Sequence, residues 1–173
     1  MLETEQPRDD LQAAIDGDKV FIRVTGRGSF KVSATLTQFI ADISSKQPVS
    51  VIAIDLSKCI GMDSTFMGVL AGLAGRLRQA GQTLELINLS EKNRNLLTTL
   101  GVDQVIDHYS HSHGHQMPDS PGESLPTEEA SKKDLAETSL QAHEKLVQIC
   151  DENRPRFKRV IEYLKTDVDR LNE

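Results

Sequence analysis

Hydrophobic and polar positions along the first 107 residues change from strand-like runs to helix-like spacing and back. Short apolar runs bounded by turn-forming residues predict strands at 11–15, 20–24, 51–54, 84–87 and 102–106. Apolar side chains that recur every three or four residues predict helices at 33–45, 64–80 and 90–100. Strands and helices therefore follow each other in the order β-β-α-β-α-β-α-β.

This order predicts a small α/β domain in residues 1–107. Asp16-Gly17-Asp18 is a turn signal, so we expect the first two strands to form a hairpin. The later strands are separated by helices, which requires right-handed crossovers and a largely parallel sheet. The predicted fold is a mixed, mostly parallel sheet flanked by helices.

The rest of the chain has a different texture. Residues 108–126 combine histidines, prolines and serines without an apolar period, so we expect a flexible linker. Residues 127–173 have helical spacing with a break at Asn153-Arg154-Pro155, which predicts a helical hairpin. Its second helix carries one apolar stripe, formed by Phe157, Val160, Ile161, Leu164, Val168 and Leu171.

The apolar stripe needs a cover, because a free helix would expose it to water. The preceding helix, the α/β domain and a second copy of the chain are the available covers. The linker lets the hairpin reach away from its own domain. We therefore expect homo-oligomerisation through these helices, with docking inside the chain as the alternative.

Composition and charge argue against several classes of protein. The chain has 20 Lys and Arg against 26 Asp and Glu, a formal charge of −6, which disfavours a nucleic-acid partner. No apolar run approaches the roughly 18 residues of a spanning helix, so we expect no membrane insertion. The polar N-terminus does not resemble a signal peptide, and Cys59 and Cys150 are then expected to be reduced thiols in the cytoplasm.

Signatures of catalysis and of cofactor binding are missing from the sequence. It contains no phosphate-binding glycine loop, no nucleophile elbow and no zinc-protease motif. His108, His111, His113 and His115 have ligand-like spacing, yet no nearby cysteine or carboxylate completes a set. We therefore expect no enzyme activity, no cofactor and no physiological metal.

One segment carries candidate chemistry. It joins a strand that ends in Asp55-Leu56-Ser57 to Asp63-Ser64-Thr65 at the start of a helix. Asp, Ser and Thr are favoured helix N-caps, so these residues taken alone indicate a structural role. The same helix contains glycines that each cost about 1 kcal/mol relative to Ala, which predicts close packing against a neighbour. They are Gly68, Gly72 and Gly75.

The same segment resembles the STAS domain, a family named after sulfate transporters and anti-sigma factor antagonists. The strand ending in Asp-Leu-Ser, followed by Met62-Asp63-Ser64-Thr65 and Gly68-Val69-Leu70, carries the resemblance. The loop at Gly26 and Leu100-Gly101-Val102 before the last strand extend it over about residues 10–107. The C-terminal helices match nothing in the minimal family domain.

The resemblance to the antagonist branch implies a regulatory role of the partner-switching type. It implies that a serine kinase of the anti-sigma factor type phosphorylates Ser64 and that a serine phosphatase resets it. The chain would bind this partner when unphosphorylated, release it when phosphorylated, and thereby regulate transcription. The implied partner-binding residues are Asp55, Ser57, Asp63, Ser64, Thr65 and Phe66. Phe66 departs from the family pattern, which has a glycine at that step.

Two alternative functions stay open. As an interaction subunit of a transport or signalling assembly, the chain would use Ser64 only as a cap and contact residue. As a small-ligand or nucleotide sensor, it would bind at the strand edge around Asp55 and Ser57, where ligands of open α/β sheets bind. The missing glycine loop disfavours the sensor.

Overall fold

The computed structural model of the chain describes residues 8–109, 116–118, 122–126 and 130–173. The strands are β1 (Asp10–Asp16), β2 (Lys19–Gly28), β3 (Val51–Met62), β4 (Thr83–Ile87), β5 (Asp107–Tyr109) and β6 (Glu123–Ser124). The helices are α1 (Phe30–Lys46), α2 (Ser64–Gln79), α3 (Glu91–Thr99), α4 (Lys132–Ile149) and α5 (Asn153–Leu171). A 3-10 turn at Val102–Gln104 follows α3.

The strands form a mixed sheet in the order β5-β4-β3-β2-β1-β6. Strands β2, β3, β4 and β5 pair in parallel, because α1, α2 and α3 carry the chain back between them. Strand β1 pairs antiparallel with β2 through a turn at Gly17, whose φ is +60°. The predicted hairpin and the predicted mostly parallel sheet are both confirmed.

The two faces of the sheet are covered differently. One face carries the main core against the helices, with alternate strand residues Leu11, Val20, Ile22, Val24, Ile52, Ile54, Leu56, Leu84 and Leu86. The other face carries a smaller cluster of Phe21, Ala53 and Ile87, on which Met117 packs. The period-two alternation of β2 and β3 therefore decides which side chains face α1 and α2.

The structure corrects the predicted bounds of three strands and one helix. The last strand was predicted at 102–106, but Val102–Gln104 is a 3-10 turn and the strand is Asp107–Tyr109. The apolar residues there are spaced for a turn that buries Val102 and Ile106, and Gly101 starts it with a φ of +74°. Strands β2 and β3 run to Gly28 and Met62, past their predicted ends at 24 and 54, because bulges let the pairing continue. Helix α4 begins at Lys132 rather than at Thr127, with Ser131 as its N-cap.

The predicted linker 108–126 is described only in part. Residues 122–126 contribute β6, which pairs antiparallel with β1 at the edge of the sheet. Gly122 lies so close to the backbone of Ala13 that an added Cβ would be 2.2 Å from its carbonyl oxygen. The four histidine side chains of this segment lie outside the described residues, as do 119–121, so the flexibility expected there stays a prediction.

The C-terminal hairpin (α4 and α5, residues 132–171) docks on its own domain. Helix α4 packs against α2 and α1, and α5 packs against α4. Phe157 is buried and Ile161 packs on the core, whereas Val160 and Tyr163 are exposed. The alternative of docking inside the chain is thus realised, and self-association stays a prediction. Among the described helices, none is long and apolar enough to cross a bilayer.

Phe66 provides a test of the core. Its ring is fully buried against Gly28, where an added Cβ would lie 2.6 Å from the ring. We expect Phe66→Ala to lower the free energy of unfolding by about 3–5 kcal/mol, because it leaves a cavity. Urea unfolding measures the loss. Phe30→Ala is the control, since that ring is 43% exposed, and equal losses in both variants would contradict the assignment.

Candidate functional site

The junction between β3 and α2 is fixed by the carboxylate of Asp63. One oxygen accepts a hydrogen bond from the Phe66 amide at 2.9 Å, which makes Asp63 the N-cap of α2. The other accepts from the Phe30 amide at 2.8 Å, and the Asp63 amide donates to the Gly28 carbonyl at 2.9 Å. One carboxylate therefore holds the starts of α1 and α2 together.

Ser64 and Thr65 follow this cap as the first residues of α2, and both hydroxyls contact α4. The Ser64 Oγ lies 2.9 Å from Nε2 of His143. The Thr65 Oγ1 lies 3.0 Å from the hydroxyl of Ser139. The His143 Nδ1 donates to the Ser139 carbonyl oxygen at 2.7 Å. The neutral ring then has its lone pair on Nε2, so the Ser64 hydroxyl is the donor.

His143 is held as a neutral imidazole. Its side chain is buried, with the ring edge on Phe157 and ring centroids 5.0 Å apart. Burial lowers the pKa of His143, and this effect outweighs the raising effects of the Ser139 carbonyl and the Asp63 charge. A neutral His143 suits the hydrogen bond from Ser64. The pair lies beneath α4 rather than in an open cleft.

The predicted close packing of the α2 glycines occurs at Gly68. A Cβ added there would lie 2.3 Å from the carbonyl oxygen of Ala142, which is backbone of α4. Gly75 has only the Lys145 Nζ nearby, at 3.6 Å, and Gly72 would meet nothing within 4 Å. One glycine of the three therefore sets the distance between the helices, and nothing in the structure explains Gly72.

Asp55 belongs to a separate, structural network. Its buried carboxylate accepts from Arg23 Nε at 2.9 Å, from Asn88 Nδ2 at 3.0 Å and from the Ser57 amide at 2.9 Å. Burial by itself raises the pKa of Asp55, but the hydrogen bonds from Asn88, Ser57 and Arg23 prevail and the pKa is lowered. The ionised group joins β2, β3 and the end of β4.

The predicted site residues fall into two groups. Asp63, Ser64 and Thr65 lie together at the start of α2, as the sequence motif implies. Asp55 and Phe66 are fully buried, so their placement does not support the expectation that they contact a partner. Ser57 is exposed on β3, two residues past the end of its pairing with β4.

Sequence reasoning missed Ser139 and His143, the α4 residues that bond to the site. The signal that could have found them is the glycines of α2, which require small residues on the facing helix. Helix α4 has small residues at three-residue steps, namely Ala136, Ser139 and Ala142, and His143 follows Ala142 on the same face.

A mixed sheet of this order, with a capped Asp-Ser-Thr segment after a central strand, defines a STAS-type domain. The family model described as Mlab, STAS domain matches residues 11–107, which is more than half of the chain. The chain therefore belongs to this STAS family. The comparison with curated protein sequences gave no match.

Solved structures share the fold at low sequence identity. The anti-sigma factor antagonist SpoIIAA in its unphosphorylated form has a TM-score of 0.52 and 19% identity, over 58% of this chain and 89% of its own. TM1081 from Thermotoga maritima gives 0.51 and 18%, over 57% and 85%. A variant of RsbS from Moorella thermoacetica gives 0.52 and 13%, over 58% and 86%. This likeness establishes a common fold.

Stability should depend on pH through His143. The pKa of an unfolded histidine is about 6.5, and the pKa of buried His143 is lower. The unfolded chain therefore binds more protons, so the contribution of this group is complete above about pH 6.5 and is lost as the pH falls below it. Urea unfolding at pH 7.5 and 5.5 measures the loss. His143→Gln offers an amide oxygen as acceptor for Ser64 and does not titrate, so an equal loss in this variant would contradict the assignment.

Proposed function

We propose that the chain is a non-catalytic regulator of the partner-switching type. It binds a protein partner through the surface at the start of α2, and phosphorylation of Ser64 ends that binding. A serine kinase of the anti-sigma factor type is the proposed partner, and a serine phosphatase resets the chain. The proposed setting is the cytoplasm, with transcription as the regulated process.

The observation that carries this proposal is the position of the Ser64 hydroxyl. It is half-buried, directly after the Asp63 cap, in the first turn of α2. The amide groups of a helix start and the positive end of its dipole favour an anion at this position. A phosphate there adds about −1.5 to −2 charges beside Asp63. Such a charge repels a partner without entering the hydrophobic core.

The comparisons support the regulatory type. SpoIIAA is described as an anti-sigma factor antagonist, and TM1081 carries a similar description. The family membership of residues 11–107 supports transfer of the domain's binding role to this chain. The Ser64 and His143 pair does not indicate catalysis, because His143 is 4% exposed and bonds to a backbone carbonyl instead of a carboxylate.

A second candidate is an interaction subunit in which Ser64 is never phosphorylated. The hydrogen bond from Ser64 to His143 favours it, because the hydroxyl already has a structural partner. The genomic neighbourhood discriminates the two: a kinase or phosphatase gene favours switching, and transporter genes favour the subunit.

A ligand sensor at Asp55 has less support, since three hydrogen bonds already occupy its carboxylate. A groove of about 540 Å³ lies elsewhere, between α1 and the start of α4.

Phosphopeptide mapping of the full chain isolated from its native cells tests the proposed function. We expect a fraction of molecules with one phosphate on Ser64 and little or none on Thr65, whose side chain is buried. The chain with Ser64→Ala, expressed in the same cells, is the control and should carry no phosphate at this segment. Phosphate only on another residue, or none under any growth condition, would contradict the proposal.

The Ser64→Ala variant should stay folded. Asp63 caps α2, so the substitution removes the hydrogen bond to His143 and leaves the Nε2 atom unpaired. The loss of unfolding free energy should be about 1–3 kcal/mol. Urea unfolding measures it, with Ser45→Ala on the exposed end of α1 as a control that changes little. Failure of the Ser64→Ala chain to fold would contradict this description of the site.

A further inference from the structure

The α2 surface that carries Ser64 is already occupied by another part of the same chain. The hydroxyls of both Ser64 and Thr65 bond to α4, through His143 at 2.9 Å and Ser139 at 3.0 Å. A phosphoryl group is larger than the gap between Ser64 and His143. A kinase that transfers phosphate to Ser64 also needs that hydroxyl free of its acceptor.

The helix–helix contact leaves no room for a third element. At Gly68 the α4 backbone approaches so closely that a Cβ would lie 2.3 Å from the Ala142 oxygen. A partner that packs on this part of α2 therefore has to replace α4. The side of α2 next to Ser64 accepts one helix at a time.

The hairpin is held to the domain by the packing of α4 on α2 and α1 and by hydrogen bonds at its turn. The Asn153 side chain is buried and donates to the Leu100 carbonyl at 2.9 Å and to the Leu146 carbonyl at 2.8 Å. Arg156 donates to the Thr99 carbonyl at 3.0 Å. Of α5, only Asn153 and Phe157 are buried. Strands β1 to β4 and helices α1 to α3 are built from residues before 107, so release of the hairpin leaves their backbone hydrogen bonds intact.

We propose that the C-terminal hairpin is a built-in competitor of the partner, which must leave α2 before Ser64 can be bound or modified. The proposal rests on the proposed function of Ser64. The partner's apparent affinity is then its intrinsic affinity multiplied by the fraction of open molecules. A phosphate on Ser64 then opposes re-docking of α4, because the ring of His143, 2.9 Å from the Ser64 hydroxyl, occupies the space that the phosphate needs.

The structure offers a variant that opens the hairpin and a matched control. Gly68→Ala places a methyl group against the α4 backbone, whereas Gly72→Ala in the same helix meets nothing within 4 Å. Both substitutions raise helix propensity by a similar amount. Asn153→Ala is a second opening variant, which acts from the hairpin side without altering α2. Asn172→Ala at the exposed end of α5 is its control.

The readout is alkylation of a thiol introduced by Ser64→Cys in the full chain. Iodoacetamide is the probe, and peptide mass spectrometry measures the rate at each cysteine. Cys59 is 6% exposed in the core, so its rate reports unfolding of the domain. Gly68→Ala should raise the rate at position 64 by about tenfold or more, given the usual cost of overpacking. Asn153→Ala should raise it by about tenfold, because it removes two buried hydrogen bonds. Gly72→Ala and Asn172→Ala should leave it unchanged.

Two results would overturn the built-in competitor. One is a rate at position 64 that does not differ between the opening variants and their controls. The other is a parallel rise at Cys59, since the domain would then open as a whole. No kinase takes part in this experiment, so its failure refutes the competitor alone. Failure of the phosphopeptide mapping described above refutes the proposed function, whereas the opening of the hairpin measured by alkylation would stand.

Discussion

Helix α4 lies on α2 at backbone contact distance because residue 68 has no side chain. Any larger residue would meet the carbonyl oxygen of Ala142. This approach brings Ser139 and His143 within hydrogen-bond distance of Thr65 and Ser64. It also removes His143 from water, which lowers its pKa and keeps the ring neutral as an acceptor. The geometry of the candidate site therefore depends on one glycine.

The STAS domain provides the fixed side of this contact. Asp63 ties the starts of α1 and α2 together with two hydrogen bonds, and Phe66 anchors the first turn in the core. Ser64 sits between these anchors on a rigid helix start. The movable side is the hairpin, whose second helix is mostly exposed. Because the hairpin is attached separately from the domain, access to Ser64 can change without refolding of the domain.

The sequence was most informative where the signal is local. Apolar spacing predicted the strands and helices of residues 1–107, and the Asp63-Ser64-Thr65 motif located the site. The prediction of a last strand at 102–106 was wrong, because a 3-10 turn at 102–104 buries the apolar residues Val102 and Ile106. Ser64 and His143 are 79 residues apart, and their contact depends on how α4 docks. Neither periodicity nor capping rules contain that information, although Gly68 indicated that some close neighbour exists.

Native-state hydrogen exchange of the unmodified full chain tests the central claim most directly. If the hairpin is a separate cover, the α4 amides exchange through an opening with a lower free energy and a smaller denaturant slope than the amides of β2 and β3. We expect this two-level pattern. Exchange of α4 and β3 with the same opening free energy and the same slope would contradict it, because the hairpin and the domain would then open as one unit.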